Sequence, residues 1–335
     1  MNAPQGGASP SAPAPLTGVV LLNMGGPDSL SAIRPFLARL LSDRELIRLP
    51  LAPVTQPLFA WIVSRVRTRK VKTYYEEIGG GSPIAELTDR QRAALEALLA
   101  ETGGNFRVYV GMRYWYPLAK HAVLEMKEDG VERGIALPLY PQYCAATTGS
   151  SLSDLRRWMR WAQADFPLAE VTSWPDHAGY IAALGEKITE TISGADSPEG
   201  THLLFSAHGV PKSLIDGGDP YQAEVEKTVA AVMKQFPGTP HSISYQSRMG
   251  RTEWLKPDTV EEVFRLGREG VQVLVVVPVS FVSDHIETLH ELDIRLKETA
   301  REAGIATFLR VPAFNDSPAF IRALRDITLS AAGQS

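Results

Sequence analysis

The chain has 335 residues, enough for two domains or one large one. Hydrophobic residues make up 44% and charged residues 21%, a globular balance with ample material for a core. Its 34 Lys and Arg against 38 Asp and Glu leave a net charge of −4, which argues against a dedicated nucleic-acid binder. The one cysteine, Cys144, excludes an intrachain disulfide, a thiolate zinc site and a Cys-ligated iron–sulfur cluster.

Residues 1–15 (MNAPQGGASPSAPAP) have no basic start and no apolar stretch, so they read as a disordered tail rather than a signal peptide. A strand at 18–22 and a helix at 30–41, entered through Asp28 and Ser29, open the folded part. Residues 46–63 are apolar and proline-rich, and the uncharged run 49–64 is too short and too broken to span a bilayer. Arg65, Arg67, Arg69, Lys70 and Lys72 follow at once. An apolar lip beside a basic cluster suits docking on an anionic membrane surface, through about 46–72. A buried packing segment with a solvated basic edge fits the same residues. The expected location is the cytoplasm, with contact to the cytoplasmic face of the membrane.

Further strands are expected at 106–111, 134–139, 202–205, 241–245, 271–278 and 306–311. Helices are expected at 88–101, 118–129, 153–164, 178–192, 222–236, 259–269 and 286–303. Runs such as VQVLVVVP lack a period of two, so both faces are buried, as in a parallel sheet covered by helices. The alternation predicts a doubly wound α/β fold. Its signals occur twice. A strand runs into a small-residue loop in LLNMGGP (21–27) and LFSAHGVP (204–211). A second ends near an arginine in VYVGMRY (108–114) and SISYQSRMG (242–250). A third passes through a proline into an aromatic loop, with nine residues from Pro138 to Thr147 and nine from Pro278 to Glu287. Two similar lobes facing a cleft are expected, the first carrying about 49 extra residues between its first two strands. The boundaries are 16–180 with an apolar lip at about 46–66 and 181–314, and a C-terminal helix within 315–335 returns to the first lobe. Ligands in such folds bind beyond the carboxyl ends of the strands, so the repeated loops converge on one cleft.

No phosphate loop is present, and Gly79–Gly80–Gly81–Ser82–Pro83 reads as a tight turn, which disfavours a nucleotide enzyme. The strongest local signal is Phe281–Val282–Ser283–Asp284–His285–Ile286–Glu287, running on to His290 and Glu291. Asp284, Glu287 and Glu291 share one helical face and could pass a divalent first-row cation such as Fe²⁺ inward. The same acids would also serve as solvated charges at a helix start. His208 stands at the matching strand end and should point into the same cleft. Met24, Tyr114, Trp115, Tyr116, Tyr140, Tyr143, Trp254 and Phe281 lie on or beside these loops, with Arg113 among them. Together they suit a flat apolar ligand with an anionic edge.

The motifs LLNMGGP, YYEEIGGGSPI (74–84), VGMRYWYP (110–117), YPQY…TTGSS (140–151), LFSAHGVP, GDPY (218–221), YQSRMG…WLKP and SDHIETLHELDI (283–294) resemble those of ferrochelatases, across essentially the whole chain after the tail. The resemblance implies two Rossmann-like lobes without nucleotide binding, and a porphyrin–metal chelatase (a lyase) that inserts Fe²⁺ into protoporphyrin IX in heme synthesis. It places catalysis on His208 and Glu287, supported by His285 and Asp284, with His208, Glu287 and Glu291 meeting the metal. Met24, Arg113, Tyr114, Tyr140, Trp254 and Phe281 would line the porphyrin pocket. Protoporphyrin IX and Fe²⁺ are the expected partners, as substrates, with no tightly bound cofactor. Ala145 replaces the internal cluster cysteine of animal-type enzymes, so no [2Fe–2S] cluster is expected. Arg295 replaces the outer acidic residue of the family's metal path, and Glu76 and Glu77 replace two arginines before GGGSP. Met24 matches protoporphyrin-using rather than coproporphyrin-type enzymes. The other readings are a chelatase loading Co²⁺ or Ni²⁺ into another tetrapyrrole, and a heme or metal carrier without turnover.

Overall fold

The structure, a computed structural model, describes residues 14–47, 51–194, 199–248 and 252–333, without the side chains of residues 52 and 54. Most of the expected tail and positions 48–50 of the apolar lip lie outside the described residues.

The first half runs β1 (Thr17–Asn23), α1 (Ile33–Leu41), α2 (Ala52–Glu77), α3 (Ile84–Ala100), β2 (Phe106–Met112), α4 (Ala119–Glu128), β3 (Arg133–Pro138), α5 (Ser150–Ala162) and β4 (Leu168–Glu170). Helix α6 (Ala178–Ser193) leads to β5 (Thr201–His208), α7 (Lys212–Asp216), α8 (Tyr221–Met233), β6 (His241–Gln246), α9 (Thr259–Arg268), β7 (Val273–Pro278), α10 (Lys297–Glu302), β8 (Thr307–Arg310) and α11 (Pro318–Ala331). Two four-stranded parallel sheets result, ordered β2-β1-β3-β4 and β6-β5-β7-β8. The two orders are the same, so the duplicated signals correspond to two α/β lobes of one topology. In each lobe the helix after the third strand opens with π-helical turns, at Ala145–Gly149 and at Glu287–Leu296.

The strands form where the sequence is apolar on both faces. Every residue of β1 and of β7 is buried. Leu21 sits between Val110 and Leu137, and Phe205 between Ile243 and Val277, at matching places in the two sheets. Helices α6 and α11 pack on each other, and α11 also lies against α3, continuing a core that draws on both sheets.

Three elements depart from the sequence reading, among them the five-residue helix α7 after Pro211. β4 is a three-residue, half-buried edge strand, too short to show a periodicity. α2 is a 26-residue helix where the sequence suggests only a proline-broken lip. Pro53 falls in its first turn, where no helical N–H is needed, and Pro57 lies inside the helix one turn later. Gln56 ties this end to α1 by donating to the Leu41 carbonyl at 2.8 Å. Leu51, Leu58, Trp61, Ile62 and Val66 remain exposed on α2 and at its start. Among the described residues no helix is long and apolar enough to cross a membrane.

Candidate active site

The carboxyl ends of β5, β6 and β7 build the site. His208 closes β5 opposite Gln246 of β6. The next residue must be small: Gly209 donates its N–H to the Gln246 carbonyl at 2.8 Å, and a Cβ there would lie 2.7 Å from that oxygen. Trp254 would lie 3.4 Å from the same added Cβ. The Tyr221 hydroxyl donates to the His208 carbonyl at 2.8 Å, which fixes the backbone. The imidazole itself is less constrained: its Nδ1 is buried and has no hydrogen-bond partner. Phe281 meets the ring edge-on, centroids 6.0 Å apart, and packs at 4.6 Å on His285.

His285 lies between a carbonyl and a carboxylate. Its Nδ1 is 2.9 Å from the Ser283 carbonyl, an acceptor, so that nitrogen donates there. Its Nε2 lies 3.1 Å from Glu287 Oε2. Burial holds the His208 imidazole below its usual range; the Glu287 and Glu291 charges pull it upward without making up the difference, and His285 reinforces the depression. His208 is thus neutral at pH 7 and within electrostatic reach of Glu287.

The three acids lined up in the sequence take different partners. Asp284 accepts from Arg310 at 3.0 Å, Asn315 at 2.9 Å and Thr288 at 3.0 Å. Arg310 also grips Asp293 at 2.6 and 2.8 Å, so one guanidinium from the end of β8 staples both sides of the segment carrying Glu287. Asp284 is therefore spent on holding the loop. Glu291 accepts from the Ser247 N–H at 2.9 Å and the Ser247 hydroxyl at 2.6 Å. Glu287 keeps its carboxylate against His285, and its charge, like that of Glu291, reaches His208. Among the described residues no group of three His, Cys, Asp or Glu is arranged to hold a metal ion.

The first-lobe residues sort less simply than the sequence suggests. Tyr114, expected in the ligand pocket, is 2% exposed within an apolar cluster and donates its hydroxyl to Asp43 at 2.5 Å. Asp43 also accepts from Ser150 at 2.5 Å and Arg113 at 2.9 Å, so the expected anion anchor already has a carboxylate. Burial would raise the Asp43 carboxyl, but the Ser150 and Tyr114 donors and the Arg113 charge outweigh it and hold it below the usual range. Met24 is partly buried and packs with this cluster, which reaches Ile286 of the second lobe. Tyr140 is half-buried, its hydroxyl 3.5 Å from Ser151 Oγ, and burial raises its phenol. Two surface cavities of about 280 and 250 Å³ lie elsewhere, along α5 and around Tyr143–Gly149.

Residues the sequence reading did not single out complete the site. Tyr75 of α2 is buried, and its phenol is raised first by that burial and then by the Glu287 charge, which places it beside the carboxylate. Ser247 and Arg310 anchor the segment that bears Glu287. Tyr75 and Ser247 fall inside motifs already conspicuous in the sequence, whereas Arg310 has no local signal.

A family model describing ferrochelatase matches residues 16–332. The chain belongs to the ferrochelatase family. A ferrochelatase of Picosynechococcus sp. is 47% identical over 317 residues, 92% of this chain and 81% of that one. A ferrochelatase of Gloeobacter violaceus is 46% identical over 321 residues, 94% and 98% of the two chains. Among solved structures, SirB from Bacillus subtilis with Fe³⁺ aligns over 95% of this chain and 96% of its own, with TM-score 0.56 at 11% identity. The sirohydrochlorin chelatase SirB in complex with cobalt, from Bacillus subtilis subspecies spizizenii, aligns over the same shares with TM-score 0.53 at 9% identity. Those two likenesses concern the fold alone, the two-lobed α/β architecture described above. Ferrochelatase membership carries the activity itself, insertion of iron into a porphyrin in heme synthesis.

Proposed function

We propose that the chain inserts Fe²⁺ into protoporphyrin IX, as a lyase, with His208 receiving the first pyrrole proton. The observation that carries this reading is the buried, unpartnered Nδ1 of a neutral His208 within electrostatic reach of the Glu287 carboxylate, which itself lies against His285. Insertion exchanges one dication for two pyrrole protons, so the site needs a base and a carboxylate that tolerates changing charge. His208 supplies the base. Glu287 meets the entering Fe²⁺ or hands protons on through His285. Glu291 lies next along that route, and Asp284 acts by holding His285 and Glu287 in place. A flat porphyrin hides its nitrogen lone pairs, so it must be bent on binding, at a strain of about 1–5 kcal/mol drawn from contacts elsewhere on the ring. Phe281 and Trp254 beside His208, with Met24 and Tyr140 from the first lobe, are the surfaces that would bend it. Arg113 and Tyr114 support that wall through Asp43.

The substrate-bearing lobes divide near residue 180, and α11 completes the first. Cys144 is buried, with its thiol pushed up to about 12 mainly by that burial, so it is a poor thiolate ligand and no [2Fe–2S] cofactor is assigned. The exposed apolar residues of α2, followed by Arg65, Arg67, Arg69, Lys70 and Lys72, favour contact with an anionic membrane surface from the cytoplasmic side.

The test is anaerobic turnover of protoporphyrin IX with Fe²⁺, or with Zn²⁺, followed in the visible spectrum. His208→Ala should lower turnover by about 10²–10⁴-fold while leaving porphyrin binding nearly intact. Near-normal turnover in this variant would remove His208 from the mechanism.

A further inference from the structure

The last turn of α2 grips the segment that carries Glu287. His290, three residues after Glu287 and one before Glu291, is 3% exposed, and its Nε2 lies 2.9 Å from Glu77 Oε2. Tyr74 stacks on the His290 ring, centroids 4.2 Å apart at 32°, and Arg295 lies 6.0 Å over the Tyr74 ring. Tyr75, between Tyr74 and Glu77, is buried beside Glu287. Neighbouring residues of one helical turn thus contact the middle of Glu287–Leu296 at His290 and lie near its start and end.

The segment is π-helical, so its own backbone ladder is irregular and side-chain anchors decide where its carboxylates point. Two anchors come from the second lobe: Arg310 on Asp284 and Asp293, and Ser247 on Glu291. The Glu77–His290 contact comes from α2, which is inserted between the first two strands of the first lobe. The Tyr74 ring covers its His290 side, while the Glu77 side chain remains 44% exposed. The His208 backbone, by contrast, is fixed within its own lobe through Gly209 and Tyr221. A displacement of α2 would therefore move Glu287 against a stationary His208.

We propose that Glu77 and His290 are positioning residues: their contact locks the end of α2 to the π-helical segment and so sets the Glu287 and Glu291 carboxylates relative to His208. This rests on the reading of Glu287 as the carboxylate of the reaction. That reading is checked separately, by wild-type turnover and the His208 variant.

The experiment uses the full chain with protoporphyrin IX and anaerobic Fe²⁺. Steady-state kinetics, porphyrin binding and thermal unfolding are measured for Glu77→Ala, His290→Leu, the double variant and His290→Gln. Glu77→Ala and His290→Leu should each lower kcat about tenfold, the low end of what losing a supporting hydrogen bond behind a metal-handling group costs, with KM for porphyrin unchanged. The double variant should be no slower than the slower single, because the two act as one unit. His290→Gln keeps a donor toward Glu77 and should return kcat to within about twofold of wild type. A Glu77→Ala enzyme within about twofold of wild type, multiplying losses in the double variant, or lowered melting temperatures with unchanged kcat would each overturn the proposal. So would an unrescued His290→Gln.

Discussion

The two lobes share strand order and a π-helical turn after the third strand, yet their strand tips are filled in opposite ways. At the first lobe's tip the central carboxylate is fully partnered: Asp43 takes donors from Tyr114, Ser150 and Arg113, and the Glu45 N–H at 2.9 Å, while Trp115 Nε1 and Thr148 Oγ1 nearby are buried without partners. At the second lobe's tip it is the titratable ring of His208 that keeps a buried nitrogen with no partner, and His285 lies 3.1 Å from Glu287. A buried polar group without a partner is costly, and such groups are kept where a ligand or a proton completes them. The same topology therefore carries a wall built round a partnered carboxylate in one lobe and a face with an unpartnered imidazole nitrogen in the other.

The strongest way to break this contrast is to unsaturate the wall. Asp43→Asn removes the carboxylate facing a largely buried Arg113 and should cost about 3 kcal/mol of stability, measured by urea unfolding, as expected when one partner of a buried pair is deleted. The sign with pH follows from the depressed Asp43 carboxyl: its contribution is present above the unfolded value of 3.8 and is lost as pH falls through the lower folded value. The deficit of the variant should be complete at neutral pH and shrink in acid. If stability were unchanged while turnover collapsed, the first-lobe tip would itself be reactive and the comparison would fail.

The contrast was only half legible in sequence. Strands such as VLVVVP announce themselves because both faces are buried, and the equal spacing from Pro138 to Thr147 and Pro278 to Glu287 exposes the duplication. Saturation is another matter. Asp43 and Arg113 are 70 residues apart and belong to no common pattern, and Arg310 meets Asp284 across 26 residues. Loop register was equally hidden: Tyr114, Trp115 and Tyr116 look alike in sequence, but the first two are buried and Tyr116 is 48% exposed. α2 escaped because two prolines near its start mimic a break.

That helix is the second asymmetry between the lobes, since β5 and β6 are joined only by α7 and α8. Trp61 and Ile62 are about half exposed on it, followed by the basic cluster. Replacing both with Ser should lower association with anionic liposomes about tenfold, on the apolar area removed, and shift unfolding by less than about 0.5 kcal/mol. Co-sedimentation equal to wild type would leave the insertion with an internal role alone.

The finest test concerns the reactive face. His208 must be neutral to accept a proton, and burial holds its imidazole below the ordinary 6.5, so the acid limb of turnover should fall below that value. The Glu291 charge opposes this by favouring the imidazolium. Glu291→Gln removes the charge and retains an acceptor for Ser247, so the limb should move to still lower pH while the alkaline side is unaffected. Asp43→Asn leaves these charges in place and should not move the limb. An acid limb that stays put in Glu291→Gln, or moves to higher pH, would mean that the titrating base is not His208, and the difference between a partnered carboxylate in one lobe and an unpartnered imidazole nitrogen in the other would lose its chemical meaning.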